Sequence, residues 1–176
     1  MMEKQFPGGV WPVMLTPYTL DNRVDTQALE RLTNWYIEQG VSGLFAVCQT
    51  SEMFFLSLEE RELIARTVVR AAAGRVPVIA SGHISDSEEK QAEELNRIAA
   101  TGVDAVILIT NRLAAHNEGD EVWLERLNRL LARVNPDIPL GFYECPYPYK
   151  RLLTPVLIKE VLKLNRFYFL KDTCCD

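Results

Sequence analysis

No apolar run in this chain approaches the length of a membrane-spanning helix, so the sequence predicts no transmembrane segment. Its start, Met1-Met-Glu-Lys-Gln-Phe-Pro7, lacks the basic region, long apolar stretch and small-residue cleavage site of a secretory signal. The cytoplasm is therefore the expected compartment. Cysteine is sparse: Cys48, Cys145, Cys174 and Cys175 show neither metal-ligand spacing nor a dense disulfide pattern, which fits free thiols in a reducing compartment. The adjacent Cys174 and Cys175 would bond each other only with strain. Acidic residues outnumber basic ones, 24 Asp and Glu against 19 Lys and Arg. A formal net charge of −5 argues against nucleic acid or an anionic membrane as the main partner. No glycine-rich phosphate loop follows the first strand candidate, where Leu15-Thr-Pro-Tyr-Thr19 stands instead, and this argues against a nucleotide-binding open sheet.

What remains is a chain of 176 residues with 48% hydrophobic and 24% charged residues, read as a single domain over 1–176 with a real core. Short apolar strand candidates lie at 10–16, 43–48, 76–81, 105–110, 139–143 and 167–171. Their starts recur at about 30 residues, the length of a βα unit. Amphipathic stretches fill the gaps, with clear punctuation. Asp25 precedes a helix predicted to end at Gly40, and Ser57-Leu-Glu-Glu60 forms a capping box for one ending at Gly74. Ser85-Asp-Ser-Glu88 repeats the box before a helix that stops at Gly102. The next helix, near 120–134, ends before Asn135-Pro136, and the fifth opens with Thr154 as cap and Pro155 at its first position.

Strands as apolar as Ala105-Val-Ile-Leu-Ile109 must be covered on both faces, so the sheet is expected to be parallel and to lie under helices. An open doubly wound sheet and a (β/α)8 TIM barrel both fit, and the even spacing favours the barrel. A complete barrel takes roughly 250 residues. The expectation is therefore a barrel truncated after its sixth strand, the first six βα units of a longer protein. An open sheet, or an oligomer that completes the core, is the alternative.

Reactive groups in parallel α/β folds gather at the carboxyl ends of strands. Those positions hold Thr16 and Tyr18; Gln49, Thr50, Ser51 and Glu52; Ser81 and His83; Asn111 and Arg112; Tyr143 and Glu144; and Lys171 and Asp172. None forms a metal cluster. Lys171 ends an apolar, aromatic-rich strand, where poor solvation disfavours ammonium and makes an amine nucleophilic. Tyr143 is expected at the matching end of the neighbouring strand, and an amine beside a proton-transferring phenol suggests Schiff-base chemistry. Glu52 reads as an acceptor for nearby backbone N–H groups, and His83 as either a substrate contact or a histidine satisfied by the next helix. Arg112 is a candidate for a second substrate carboxylate.

On these residues the sequence resembles the dihydrodipicolinate synthase and N-acetylneuraminate lyase family of Schiff-base class I aldolases on a TIM barrel. The resemblance runs through Gly9-Val-Trp-Pro-Val-Met-Leu-Thr-Pro-Tyr18, then Gly43-Leu-Phe-Ala-Val-Cys-Gln-Thr-Ser-Glu52, then Tyr143 with Pro146, and finally Lys171. It implies that Lys171 forms an imine with pyruvate or a related 2-oxo acid and that Tyr143 shuttles protons. It also implies that Gln49, Thr50 and Ser51 surround the carboxylate, which the Thr50 hydroxyl and the backbone N–H groups of Thr50 and Ser51 hold. No cofactor or metal is implied, because the imine itself is the electron sink. The implied partners are the 2-oxo acid, an aldehyde and further copies of the chain in a homo-oligomer. The sequence departs from the family pattern at Gln49, which replaces the first of two hydroxyl residues, and at Ser51, which replaces a glycine. Asn111-Arg112-Leu113 stands where the synthases carry two tyrosines, and Pro148 falls near their arginine. Lysine biosynthesis is thus not the expected role; a lyase or aldolase with another aldehyde is. A non-catalytic barrel remnant or metabolite-binding protein is the rival from a different class.

Overall fold

The computed structural model describes residues 6–173, in the element order α1 (Thr26–Glu38), β1 (Leu44–Val47), α2 (Leu58–Ala72), β2 (Val78–Ser81), α3 (Glu88–Ala99), β3 (Ala105–Ile109), α4 (Asp120–Leu131), β4 (Leu140–Tyr143), α5 (Pro155–Leu162) and β5 (Phe167–Lys171). Contacts gather these into two compact units. One comprises residues up to Ala80 with Arg97–Asp104, the other Ser81–Asn96 with Ala105 onward.

In the first unit β1 and β2 pair in parallel, with Leu44 opposite Val78 and Phe45 opposite Ile79. All four residues of each strand are buried, as expected for strands covered on both faces. The segment 10–16 is not a regular strand, contrary to the sequence reading. It makes one parallel bridge, Val13 to Phe45, with the Met14 N–H bonded to the Phe45 carbonyl and the Phe45 N–H to the Pro12 carbonyl, both at 3.0 Å. Pro12 and Pro17 have no N–H to donate, so a longer ladder has nothing to run on. Gly43 is required by packing, since a Cβ there would lie 2.2 Å from the Trp11 indole. The helix signals hold in this unit. Asp25 caps α1 by accepting from the Ala28 N–H at 2.9 Å. Ser57 and Glu60 form both bonds of the capping box, at 3.2 and 2.8 Å.

The second unit pairs β3, β4 and β5 in parallel. β3 is wholly buried; Phe142 of β4 stacks on Phe167 of β5 with centroids 4.4 Å apart, and Trp123 of α4 lies tilted against Phe142 at 5.4 Å. Gly141 lets the strands close up: a Cβ would meet both the Ile107 side chain and the Phe169 carbonyl at 2.7 Å. Thr154 caps α5 by accepting from the Leu157 N–H at 3.2 Å, with Pro155 next, as the sequence predicts. The second capping box does not form. Lys90 N–H bonds Ser87 instead, and Ser85 turns to Glu94, its N–H bonded to Oε2 at 3.2 Å and its hydroxyl to Oε1 at 3.0 Å. β5 alternates between half-buried and exposed residues, with Tyr168 43% and Leu170 45% exposed. Val156, Ile158 and Leu162 leave an apolar face of α5 open as well.

Candidate active site

Tyr143 and Lys171 face each other after a shift of register between β4 and β5. Leu140 pairs with Phe167 but Gly141 pairs with Phe169, so Tyr168 is the extra residue. In a continuous register Tyr143 would face Leu170; the insertion moves Lys171 opposite Tyr143 on the last rung of the ladder. Lys171 Nζ lies 5.0 Å from the centroid of the Tyr143 ring, within cation–π range. Tyr143 is buried, whereas Lys171 is half-buried. The fully apolar surroundings expected for the lysine are not found, because its strand is covered incompletely and alternate side chains reach solvent.

In the first unit Gln49, Thr50 and Ser51 form a single 3-10 turn at the carboxyl end of β1. Thr50 is exposed and Gln49 half-buried. Ser51 is fully buried and faces backbone: its hydroxyl lies 2.6 Å from the Met14 carbonyl and accepts from the Cys48 N–H at 3.2 Å. Its own N–H donates to the Cys48 carbonyl at 3.1 Å, and its carbonyl accepts from the Thr16 hydroxyl at 2.8 Å. Ser51 therefore shapes the turn that presents Thr50. Glu52, left-handed at φ 62°, holds the Tyr18 phenol through its carboxylate instead of the backbone N–H groups expected of it. Burial first, and then the Glu52 carboxylate, push the Tyr18 pKa up from 10 to about 12.

The other strand-end residues of the second unit form supports. His83 is fully buried; Nε2 accepts from the Ile109 N–H at 2.8 Å and Nδ1 faces Gln91 Oε1 of α3 at 3.1 Å, so the ring is satisfied by the next helix and strand. Arg112 pairs with Asp86 at 2.8 Å. Sequence reasoning missed Asn111 as an organiser: its Nδ2 lies 2.8, 2.9 and 2.6 Å from the carbonyls of Cys145, Tyr147 and Tyr149, fixing the loop that follows Tyr143. The Tyr149 hydroxyl returns to the Asn111 carbonyl at 2.7 Å, and burial raises its pKa. His116 is exposed against the Tyr149 ring. Cys48 and Cys145 are buried free thiols; Cys174 and Cys175 lie outside the described residues. Among the described residues no group of acidic, histidine or cysteine side chains is placed to hold a metal ion, and no helix is long and apolar enough to cross a membrane.

Comparison with known proteins shows the family of the chain. The pattern of the Dihydrodipicolinate synthetase family matches residues 6–174. The 4-hydroxy-tetrahydrodipicolinate synthase of Jannaschia sp. (strain CCS1) is 33% identical over 168 residues, covering 96% of this chain and 56% of the relative. Among solved structures, the chloride-inhibited dihydrodipicolinate synthase of Acinetobacter baumannii complexed with pyruvate is 30% identical, with a TM-score of 0.69 over 78% of this chain and 46% of that one. CdNal from Clostridium difficile, in complex with mannosamine, shares the fold at a TM-score of 0.81 and 20% identity, over 96% of this chain and 57% of that one. The chain spans about half the length of the relatives it matches. It carries part of a (β/α)8 barrel, and it belongs to the dihydrodipicolinate synthetase family.

Proposed function

We propose that this chain carries the imine-forming centre of a 2-oxo-acid lyase or aldolase. The observation that supports it most directly is the Tyr143–Lys171 rung, with Nζ 5.0 Å from the phenol ring at the carboxyl ends of adjacent parallel strands. The Lys171 amine attacks the ketone carbon of pyruvate or a related 2-oxo acid to give a carbinolamine. Loss of water leaves a protonated imine, which withdraws the electron pair released when the adjacent carbon–carbon bond breaks, or supplies the enamine when that bond forms. Tyr143 passes protons to the departing hydroxyl and at the aldehyde or alcohol oxygen. No cofactor is required, because the imine is the electron sink. The carboxylate is assigned to the turn Gln49–Ser51 on the strength of family membership, with Thr50 as its hydroxyl donor and Ser51 fixing the turn. An aldehyde partner, a homo-oligomer, a single barrel domain and a cytoplasmic location complete the reading.

Incubation with pyruvate and borohydride, followed by peptide mass spectrometry, tests it. A reduced pyruvyl adduct is expected on Lys171 and is lost in Lys171→Ala. Tyr143→Phe is expected to slow turnover by about 10²- to 10⁴-fold, the range for a lost general acid–base, with far less effect on pyruvate affinity. A folded protein that forms no adduct, or an adduct that survives Lys171→Ala, rejects this chemistry in favour of a non-catalytic barrel or metabolite-binding protein.

A further inference from the structure

Glu144 follows Tyr143 at the exit of β4 and has no part in the chemistry above, yet it is 4% exposed and binds in four directions. One carboxylate oxygen accepts from the Leu153 N–H at 2.7 Å, and the other accepts from the Thr173 N–H at 3.3 Å. Its own N–H donates to the Lys171 carbonyl at 3.1 Å, and its carbonyl accepts from the Thr173 hydroxyl at 2.6 Å. Three of these bonds reach residues 171–173, and the fourth reaches the residue just before the cap of α5.

A buried carboxylate is costly unless its lone pairs are taken up, so a side chain that merely filled space would not be acidic. What the position needs is two acceptors diverging from one residue. The need is local. Among the described residues β5 has its ladder partner on one side, in β4, and the ladder's last rung is Tyr143–Lys171, where strand ends open most readily. Glu144 continues the pairing past that rung with its own backbone and side chain, and anchors the far end at Leu153. The charged and titratable neighbours are Tyr143 just before it on β4, Lys171 at the end of β5, Asp172 just after that strand, and Lys150, whose ammonium donates to the Thr173 carbonyl. Burial first, and then the Asp172 carboxylate, raise the Glu144 pKa against the two backbone bonds that lower it.

We propose that Glu144 is a positioning residue that holds Lys171 in register against Tyr143, an inference that rests on the Schiff-base reading above. Glutamine at 144 keeps one acceptor but turns an NH₂ toward the second N–H; alanine removes both acceptors.

The test uses the full chain as wild type, Glu144→Gln and Glu144→Ala. Borohydride trapping of pyruvate on Lys171 is followed against pyruvate concentration, with circular dichroism as the fold check and hydrogen exchange of the 167–173 segment alongside. Both variants should stay folded and exchange faster only in that segment and at Leu153, whose N–H loses its acceptor. Each should form adduct at saturating pyruvate on the order of tenfold more slowly, as expected for a misplaced nucleophile, with the half-saturating concentration within about twofold. Trapping at the wild-type rate in the folded variants overturns the inference alone. So does exchange that rises equally across the whole chain, which marks a general structural role. No adduct on wild type instead rejects the Schiff-base reading, and this inference with it.

Discussion

At the scale of single residues, Ser51 shows how a change of side chain recruits new backbone partners. A buried hydroxyl between Cys48 and Met14 satisfies a donor and an acceptor that no water reaches, while its neighbour Thr50 stands in solvent. Replacing Ser51 by alanine leaves the Cys48 N–H and the Met14 carbonyl short of a partner, and a lost buried hydrogen bond of this kind costs about 1–3 kcal/mol. Urea unfolding of Ser51→Ala is expected to show a loss in that range, whereas Thr50→Ala changes stability by less than about 0.5 kcal/mol. Equal losses at the two positions would mean that the turn is not held from inside. At Tyr18 burial and the Glu52 carboxylate both disfavour the phenolate, raising a pKa that already lies above neutrality.

At the scale of elements, two capping boxes look alike in the sequence and differ in the molecule. Ser57 and Glu60 exchange their bonds at the start of α2, but Ser85 is drawn to Glu94, and Ser87 takes over at α3. A double-mutant cycle separates them. Ser57→Ala is expected to cost about 1 kcal/mol and to couple with Glu60→Ala, while Ser85→Ala and Glu88→Ala add independently. Coupling in the second pair would contradict the arrangement seen here. The contrast marks what the sequence could reveal. Fully apolar strands, helix caps at Asp25 and Thr154, and the order of strand-end residues are local properties, and they were legible. The broken pairing at 10–16 was written in Pro12 and Pro17 but outweighed by the apolar residues around them. The bulge at Tyr168 was not legible, because it depends on how Gly141 lets Phe169 approach, and it decides which residue faces Tyr143. Glu144 and Asn111 escaped for a related reason: their importance lies in backbone groups brought to them from distant parts of the chain.

At the scale of the whole molecule, stability responds to pH through carboxylates shifted in opposite senses. Glu62 of α2 receives two bonds from Arg97 of α3, at 3.1 and 2.6 Å, and the first cause of its lowered pKa is that hydrogen bonding. In the window between its lowered value and the ordinary 4.5, the unfolded chain binds a proton that the folded chain does not. Its contribution is therefore complete above the ordinary value and is lost as pH falls through the lowered one. Glu144 acts in reverse: its raised value means the folded chain keeps a proton that the unfolded chain has released, so stability declines as pH climbs through the window above 4.5. Arg97→Met should separate the two. Arg97 is 34% exposed and solvent screens its pair with Glu62, so the variant is expected to be only slightly weaker at pH 7. As pH falls from the ordinary carboxylate value through the lowered one of Glu62, urea midpoints should fall less in Arg97→Met than in wild type. Through the window above 4.5, where Glu144 carries the change, the two profiles should run parallel. Parallel curves across the acid range as well would place the acid sensitivity elsewhere than in the Arg97–Glu62 pair.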